Sequence, residues 1–404
     1  MNGDAHRAMV INNLYSSLHI MNRKFLRFAG IEFAFWATFS MYYPFMVVFL
    51  MEKGLDNVTI GTILAVNSGV ALLAQPFWGM VSDKVQSIKK VFILCLGVTA
   101  ILWVTLPLYQ TILFMAIAFA VLVFFEGPLP PLLDSWVLQG IKTEKSLTYG
   151  TIRLWGSVGF GLTLFLVGKV IDIRGINIIF PMFALLASIT IILCVAFRAD
   201  RGALVIKKIK LEPGRLLKNV RYIAFVIFAM FLIIPNRASF LFLPVLVKNV
   251  GGTSGDLSMA ISLIAVSEIP VFLFSAYLIK RFGAVKIIFV SAFFFALRQL
   301  LFLFVSTPSQ IILMQFSHGL SFAFFLPATV YYVDSMAPDN LKATAQTLCF
   351  AIFAALGGIL ASSLGGIVID SYGLDWMYKA GLYMTIGITG VYALFFYIVN
   401  KGDN

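Results

Sequence analysis

Eight charged side chains and one imidazole stand inside or at the edge of long apolar stretches: Glu32, Glu126, Asp134, Arg153, Arg237, Glu268, Arg298, Asp334 and His318. A charge at the centre of a membrane span costs roughly 2.5–3.5 kcal/mol on insertion scales, so it normally faces a partner or a wet cavity. The chemistry open to such groups is proton exchange and the recognition of polar solutes. Glu268 lies 15 residues before Gly283 and Arg298 lies 15 after it. At a rise of 1.5 Å per residue both fall roughly 15–20 Å from the same face, at matched depth in neighbouring segments. That predicts an ion pair, direct or bridged by His318; a purely structural bridge is the alternative.

Asp134 and Arg153 lie about 10 residues either side of another loop and could meet roughly 10–15 Å inside. A planar guanidinium beside a carboxylate suits a polyol or an acid group. Glu126 sits in Phe125-Glu126-Gly127-Pro128-Leu129-Pro130-Pro131, where prolines free backbone carbonyls that need a polar or protein-lined setting. A carboxyl there is a second candidate for carrying a proton. Glu32 is a third, or pairs with Arg27. Arg237, in Pro235-Asn236-Arg237-Ala238-Ser239, either neutralises Glu32 or binds an anionic ligand. The histidines His6, His19 and His318 are scattered, and no Cys/His cluster offers metal-ligand spacing. There is no nucleophile elbow and no phosphate loop either. The expectation is no enzyme, no metal and no cofactor, with any active transport driven by an ion gradient.

The elements that must hold these groups follow from composition. Of 404 residues, 60% are hydrophobic and 12% charged, against about 45–50% and about 25% in soluble domains. The excess cannot be hidden in a globular core, which excludes a water-soluble enzyme. Twelve spans are expected at about 25–51, 57–82, 90–109, 111–140, 147–171, 176–197, 220–248, 257–279, 285–305, 309–335, 342–369 and 377–399. With both termini inside, 22 of the 30 Lys/Arg fall on cytoplasmic segments and the span ends beside them, five on external ones, and three, Arg153, Arg237 and Arg298, deep within spans. This asymmetry orients the chain and accounts for the net charge of +12 without a nucleic acid partner. Cys95, Cys194 and Cys349 all fall inside spans, so no disulfide framework is expected. Asn57-Val58-Thr59 matches a glycosylation acceptor, but the capped start of span 2 is the better reading.

Comparing the chain with itself at an offset near 200 pairs Pro44 with Pro244, Asp56 with Asp256, and Ala65-Val66 with Ala265-Val266. It also pairs Asp134-Ser135 with Asp334-Ser335, and Val170-Ile171-Asp172 with Val368-Ile369-Asp370. Two related six-span bundles, 25–197 and 220–399, are therefore expected. They are framed by a cytoplasmic segment 1–24, a basic cytoplasmic linker 198–219 and a tail 400–404. The basic linker either tethers the bundles in solvent or touches anionic lipid. Parallel halves of this kind form transporters with a midplane site at the repeat interface. The repeat preserves Asp134 and Asp334, which suggests scaffold or gate. Glu32, Glu126, Arg153, Arg237, Glu268, Arg298 and His318 have no counterpart and point to the ligand and the ion.

The end of span 2, Gly79-Met80-Val81-Ser82-Asp83-Lys84 and then Lys89-Lys90, resembles the loop signature of the major facilitator superfamily. Gln86 stands where a glycine is usual. The second copy keeps Arg281 and Gly283 but has Lys280 at the aspartate position. Within the superfamily, Tyr42-Tyr43-Pro44-Phe45, Tyr149-Gly150-Thr151-Ile152-Arg153-Leu154-Trp155-Gly156-Ser157-Val158-Gly159, Glu268, Arg298 and His318 resemble the lactose permease and phenylpropionate permease branch. The resemblance implies an all-α membrane protein with twelve helices in two pseudo-symmetric bundles. It implies substrate contacts at Arg153, Asp134, Tyr42, Phe160 (replacing a tryptophan) and His318, with Arg237 added from its position. Proton coupling is implied at Glu268, His318 and Arg298, with Glu126 and Glu32 as further carboxylates, and gating at Asp83, Lys84 and Arg281. Ser321 replaces the branch's coupling glutamate and Gln315 a lysine, which keeps an aromatic acid in play beside a sugar. The expected partners are a small solute, protons and the bilayer of a bacterial-type inner membrane, with the monomer as the working unit. A proton-coupled exporter and a non-transporting sensor on the same fold remain as alternatives.

Overall fold

The computed structural model describes residues 23–402 apart from 43, 143, 145–146, 148, 198–215, 217 and 339–340. Most of the segment 1–24 and of the linker 198–219, together with Tyr43, His6 and His19, lie outside the described residues. Among the described residues every regular element is helical. Among the described residues eleven helices are long and apolar enough to cross a membrane, from Arg23–Glu52 to Leu374–Val399. The remaining expected span, 342–369, is helical over Lys342–Ala351 and Gly357–Tyr372, joined by a π turn at Ile352–Leu356.

Local sequence explains the ends and breaks of these helices. The Asp56 carboxylate accepts the backbone N–H of Thr59 at 2.8 Å, so Asn57-Val58-Thr59 forms the first turn of helix Asn57–Val85. Those hydrogen bonds to Thr59 hold the Asp56 carboxyl below its usual range. Thr253 and Asp256 close a reciprocal capping box at the start of Ser254–Phe282. The repeated prolines Pro44 and Pro244 both mark interruptions. Helix 23–42 gives way to Met46–Glu52 around Pro44, and Val220–Leu241 to Leu243–Asn249 around Pro244. Gln86, in the place of the signature glycine, has φ +50°, the one positive φ outside glycine among the described residues. Its counterpart Gly283 has φ +86° and ends helix Ser254–Phe282. The turn demands a left-handed residue in both halves.

The chain forms two compact units, whose borders do not follow the halves of the sequence. The first gathers the described parts of Met1–Tyr42, Leu73–Thr163 and Ile179–Ile206. The second gathers Tyr43–Leu72, Leu164–Ile178 and the described parts of Lys207–Asn404. In the first unit, Trp103 packs against Tyr42, Phe180 and Phe183, while Phe28 meets Trp136 and Phe197. In the second, Phe228 stacks on Tyr392 at 4.3 Å within a core that includes Phe225, Phe325 and Phe353. Large apolar side chains such as Leu73, Ile192, Phe293 and Val391 remain exposed on helix surfaces, as expected where the solvent is hydrocarbon.

Candidate functional site

The nine ionisable groups separate into two clusters and three isolated groups. In the first unit, the helix through residues 23–42 carries Glu32 and, one turn on, Trp36. Helix Tyr149–Arg174 carries Tyr149 and, one turn on, Arg153. The Arg153 guanidinium lies over the Trp36 ring, 4.0 Å from its centroid, a cation–π contact between two half-buried side chains. The Tyr149 hydroxyl donates to Asp134 at 2.8 Å. Asp134 and Arg153 form no direct ion pair; Tyr149 takes the carboxylate and Trp36 the cation. Glu32 is fully buried, and neither carboxylate oxygen has a hydrogen-bond partner. A side chain on Gly156 would come within 2.7 Å of Arg153 Nη1 and 2.9 Å of Glu32 Oε2, so the glycine leaves the room where those two groups converge. Phe160 faces Trp36 at 6.4 Å between ring centroids, whereas Tyr42 sits in the Trp103 packing.

Glu126 ends helix Ile112–Glu126 and is buried, with no ion pair among the described residues. The prolines behind it remove the N–H groups that would bond the carbonyls of Phe124 and Gly127. Trp78 Nε1 donates to the Phe124 carbonyl at 2.9 Å, and Gln75 Nε2 to that of Gly127 at 3.4 Å. Two of the freed carbonyls are thus satisfied from span 2, and the third, opened by Pro130, is that of Glu126 itself.

In the second unit, Arg298 is fully buried and anchored on three sides. Its Nη1 donates to Asn236 Oδ1 at 3.1 Å and its Nη2 to Gln315 Oε1 at 2.6 Å, while Nη1 also meets Nδ1 of His318. The other ring nitrogen, Nε2, lies 3.2 Å from Glu268 Oε1. Of the two arrangements open from the sequence, the structure therefore has the His318-bridged one. An arginine donates and never accepts, so Nδ1 accepts and the ring proton sits on Nε2, aimed at Glu268. Glu268 is the more accessible end of the chain at 23% side-chain exposure, against 7% for His318. Local backbone sets this alignment. A π turn at Gly319–Ala323 follows His318, and the Gly319 N–H donates to Ser267 Oγ at 3.1 Å. Any side chain on Gly319 would strike the Ser267 carbonyl, so glycine alone lets the two helices meet here.

The profile of the MFS_1 like family matches residues 25–380 of the chain. The chain belongs to this major facilitator family. Among its relatives, the uncharacterized transporter YwbF of Bacillus subtilis (strain 168) is 27% identical over 379 residues, covering 92% of both chains. The maltose permease of Geobacillus stearothermophilus is 27% identical over 356 residues, 86% of this chain and 87% of that one. Among solved structures, the nucleoside transporter NupG superposes with a TM-score of 0.83 at 19% identity, over 92% of this chain and 99% of the other. The fold is shared.

In this major facilitator protein the signature residues Asp83 and Lys84 take part in no ion pair among the described residues, and Arg281 Nη1 donates to Tyr277 within its own helix at 2.9 Å. Arg237 likewise has no ion pair among the described residues, and its buried Nε lacks a hydrogen-bond partner. It lies with Ser68 beside Gly358, where an added Cβ would meet Ser68 Oγ at 3.4 Å and Arg237 Nε at 3.7 Å. Asp334 pairs with Lys342 at 3.1 Å. Sequence reasoning missed Trp36, Tyr149, Asn236 and the anchoring role of Gln315. Spacing offered a signal for two of them: Tyr149 precedes Arg153 by four residues and Gln315 precedes His318 by three, each on its partner's helix face.

Proposed function

We propose that this protein is a proton symporter of the plasma membrane that takes up a sugar or related polar solute by alternating access. The observation that carries the proposal is the buried chain Arg298–His318–Glu268, closed at the arginine and open at the carboxylate. Its form suits a proton that enters at Glu268. With Glu268 ionised, the carboxylate holds the His318 N–H and the buried charges resist rearrangement; protonation releases that bond and lowers the barrier. The kinship with a maltose permease supports a hydroxylated solute. Arg153, Asp134, Tyr149 and Trp36 supply the donors, the acceptor and the aromatic face that such a solute uses.

A second solute class has its own observation. The unpaired Arg237, with a free Nε edge beside Ser68, favours a hydroxylated or aromatic acid.

The test is transport in proteoliposomes with an imposed proton gradient. Glu268→Gln is expected to keep solute exchange and lose pH-driven accumulation. Full accumulation by that variant would remove Glu268 from the mechanism, and net movement of solute against the expected direction would make the protein an exporter.

A further inference from the structure

Two aspartates that the repeat preserves, Asp172 and Asp370, do the same thing in the structure. Asp172, near the end of helix Tyr149–Arg174, accepts the backbone N–H of Gly255 at 3.0 Å. Gly255 is the second residue of helix Ser254–Phe282. Asp370, near the end of helix Gly357–Tyr372, accepts the Val58 N–H and the Asn57 side-chain amide, both at 2.7 Å, on the first turn of helix Asn57–Val85. Each carboxylate thus caps a helix that it does not belong to. There the free N–H groups and the positive end of the dipole favour negative charge. A further repeated pair of aspartates, Asp56 and Asp256, cap their own helices, so the first turns that receive Asp370 and Asp172 are held ready.

Behind each cap the helices meet without a gap. A side chain on Gly255 would lie 2.6 Å from Asp172 Oδ2, and one on Gly168 would strike Ser258. One on Gly61 would strike the Ser362 carbonyl, and one on Gly366 the Asn57 carbonyl. Ser258 and Ser362 are fully buried as a result. All of this lies in the second unit, at the ends of spans 2, 5, 8 and 11 that the cation asymmetry assigns to the outside.

We propose that Asp172 and Asp370 are the positioning residues of an outer gate, a twofold latch in which each carboxylate holds the outer end of a helix from the other half of the repeat. The proposal rests on the alternating-access reading. Opening to the outside must break both caps, and the repeat supplies them in pairs so that both edges release together. Removing either charge shifts the protein toward the outward-open form.

The test uses the full chain in right-side-out vesicles and needs no solute. Cysteines are introduced singly as Ser258→Cys and Ser362→Cys and reacted with a membrane-impermeant maleimide; the native Cys95, Cys194 and Cys349 are buried. In the parent both sites react slowly. Asp172→Asn and Asp370→Asn are each expected to speed both by about tenfold, since a charge-assisted bond becomes a neutral one. Asp370→Glu, which keeps the acceptor, stays near the parent rate. Asn57→Ala leaves both carboxylates in place and removes one donor to Asp370, so it gives a smaller rise. Labelling at the parent rate in the Asn variants, or Cys95 reacting in step with the introduced sites, overturns the latch. Loss of all solute flux with these labelling changes intact would sink the transport reading and leave the latch standing.

Discussion

His318 Nε2 approaches Glu268 Oε1 to 3.2 Å while the opposite ring nitrogen is fixed on a fully buried arginine. The imidazole is therefore a spacer with a direction: it accepts at one end and donates at the other. Two replacements separate that polarity from simple packing. His318→Gln retains one acceptor and one donor, and is expected to fold with a melting temperature near the parent. His318→Leu leaves Arg298 and Glu268 without their shared partner, which costs about 3–5 kcal/mol when a buried pair is broken. Thermal unfolding in detergent checks this. Equal melting temperatures for the two variants would show that the bridge carries no load in the fold.

Gln86 occupies a left-handed turn that its repeat partner fills with Gly283. A residue with a Cβ costs about 1–2 kcal/mol in that conformation. Gln86→Gly is expected to raise stability by about 1 kcal/mol, since the glycine reaches the turn without the Cβ clash. An unchanged or lowered melting temperature would mean that the Gln86 side chain offsets its own backbone strain.

What the sequence disclosed and what it hid divide along physical lines. Helix rise alone put Glu268 and Arg298 at one depth, and they join through His318. The repeat marked Asp172 and Asp370 before any contact was known, because a cap needs its residue at a fixed place in each half. It gave no hint that those carboxylates reach across to other helices. Trp36 was invisible for another reason. Among 60 aromatic residues nothing in its type separates one that stacks on a guanidinium from one that faces lipid. Asn236 is neutral and stands beside the more conspicuous Arg237, so nothing in its type marked it as an anchor for Arg298. Helix rise puts Asp134 and Arg153 at one depth, but it could not show that the Tyr149 hydroxyl, one turn before the arginine, is the partner of the carboxylate.

Gly156 lies one turn beyond Arg153 at the point where Glu32, Arg153 and Trp36 converge. Gly156→Ala adds one methyl group against Arg153 Nη1 at 2.7 Å and Glu32 Oε2 at 2.9 Å. Overpacking of this kind costs about 1–3 kcal/mol. If the guanidinium holds the solute, the cost falls on binding, so KM for uptake should rise about tenfold while the maximal rate changes little. A fall in maximal rate at unchanged KM would place Arg153 in the conformational step instead.

Arg237 offers the sharpest choice between solute classes. Its charge is unpaired among the described residues, its Nε is buried without a partner, and the nearby Gly358 leaves its edge uncovered. A half-buried cation without a counter-charge attracts an anion, and a bound carboxylate would meet it through two parallel N–H bonds. Arg237→Gln should then weaken uptake of an acid such as glucuronate by about tenfold or more, the value of one charge-assisted pair. Uptake of a neutral sugar should be unchanged or improved, because the neutral amide no longer demands a counter-ion. Competition assays in the same vesicles, with glucose and glucuronate as paired probes, read both numbers at once. Equal losses for the two solutes would assign Arg237 to the fold rather than to recognition.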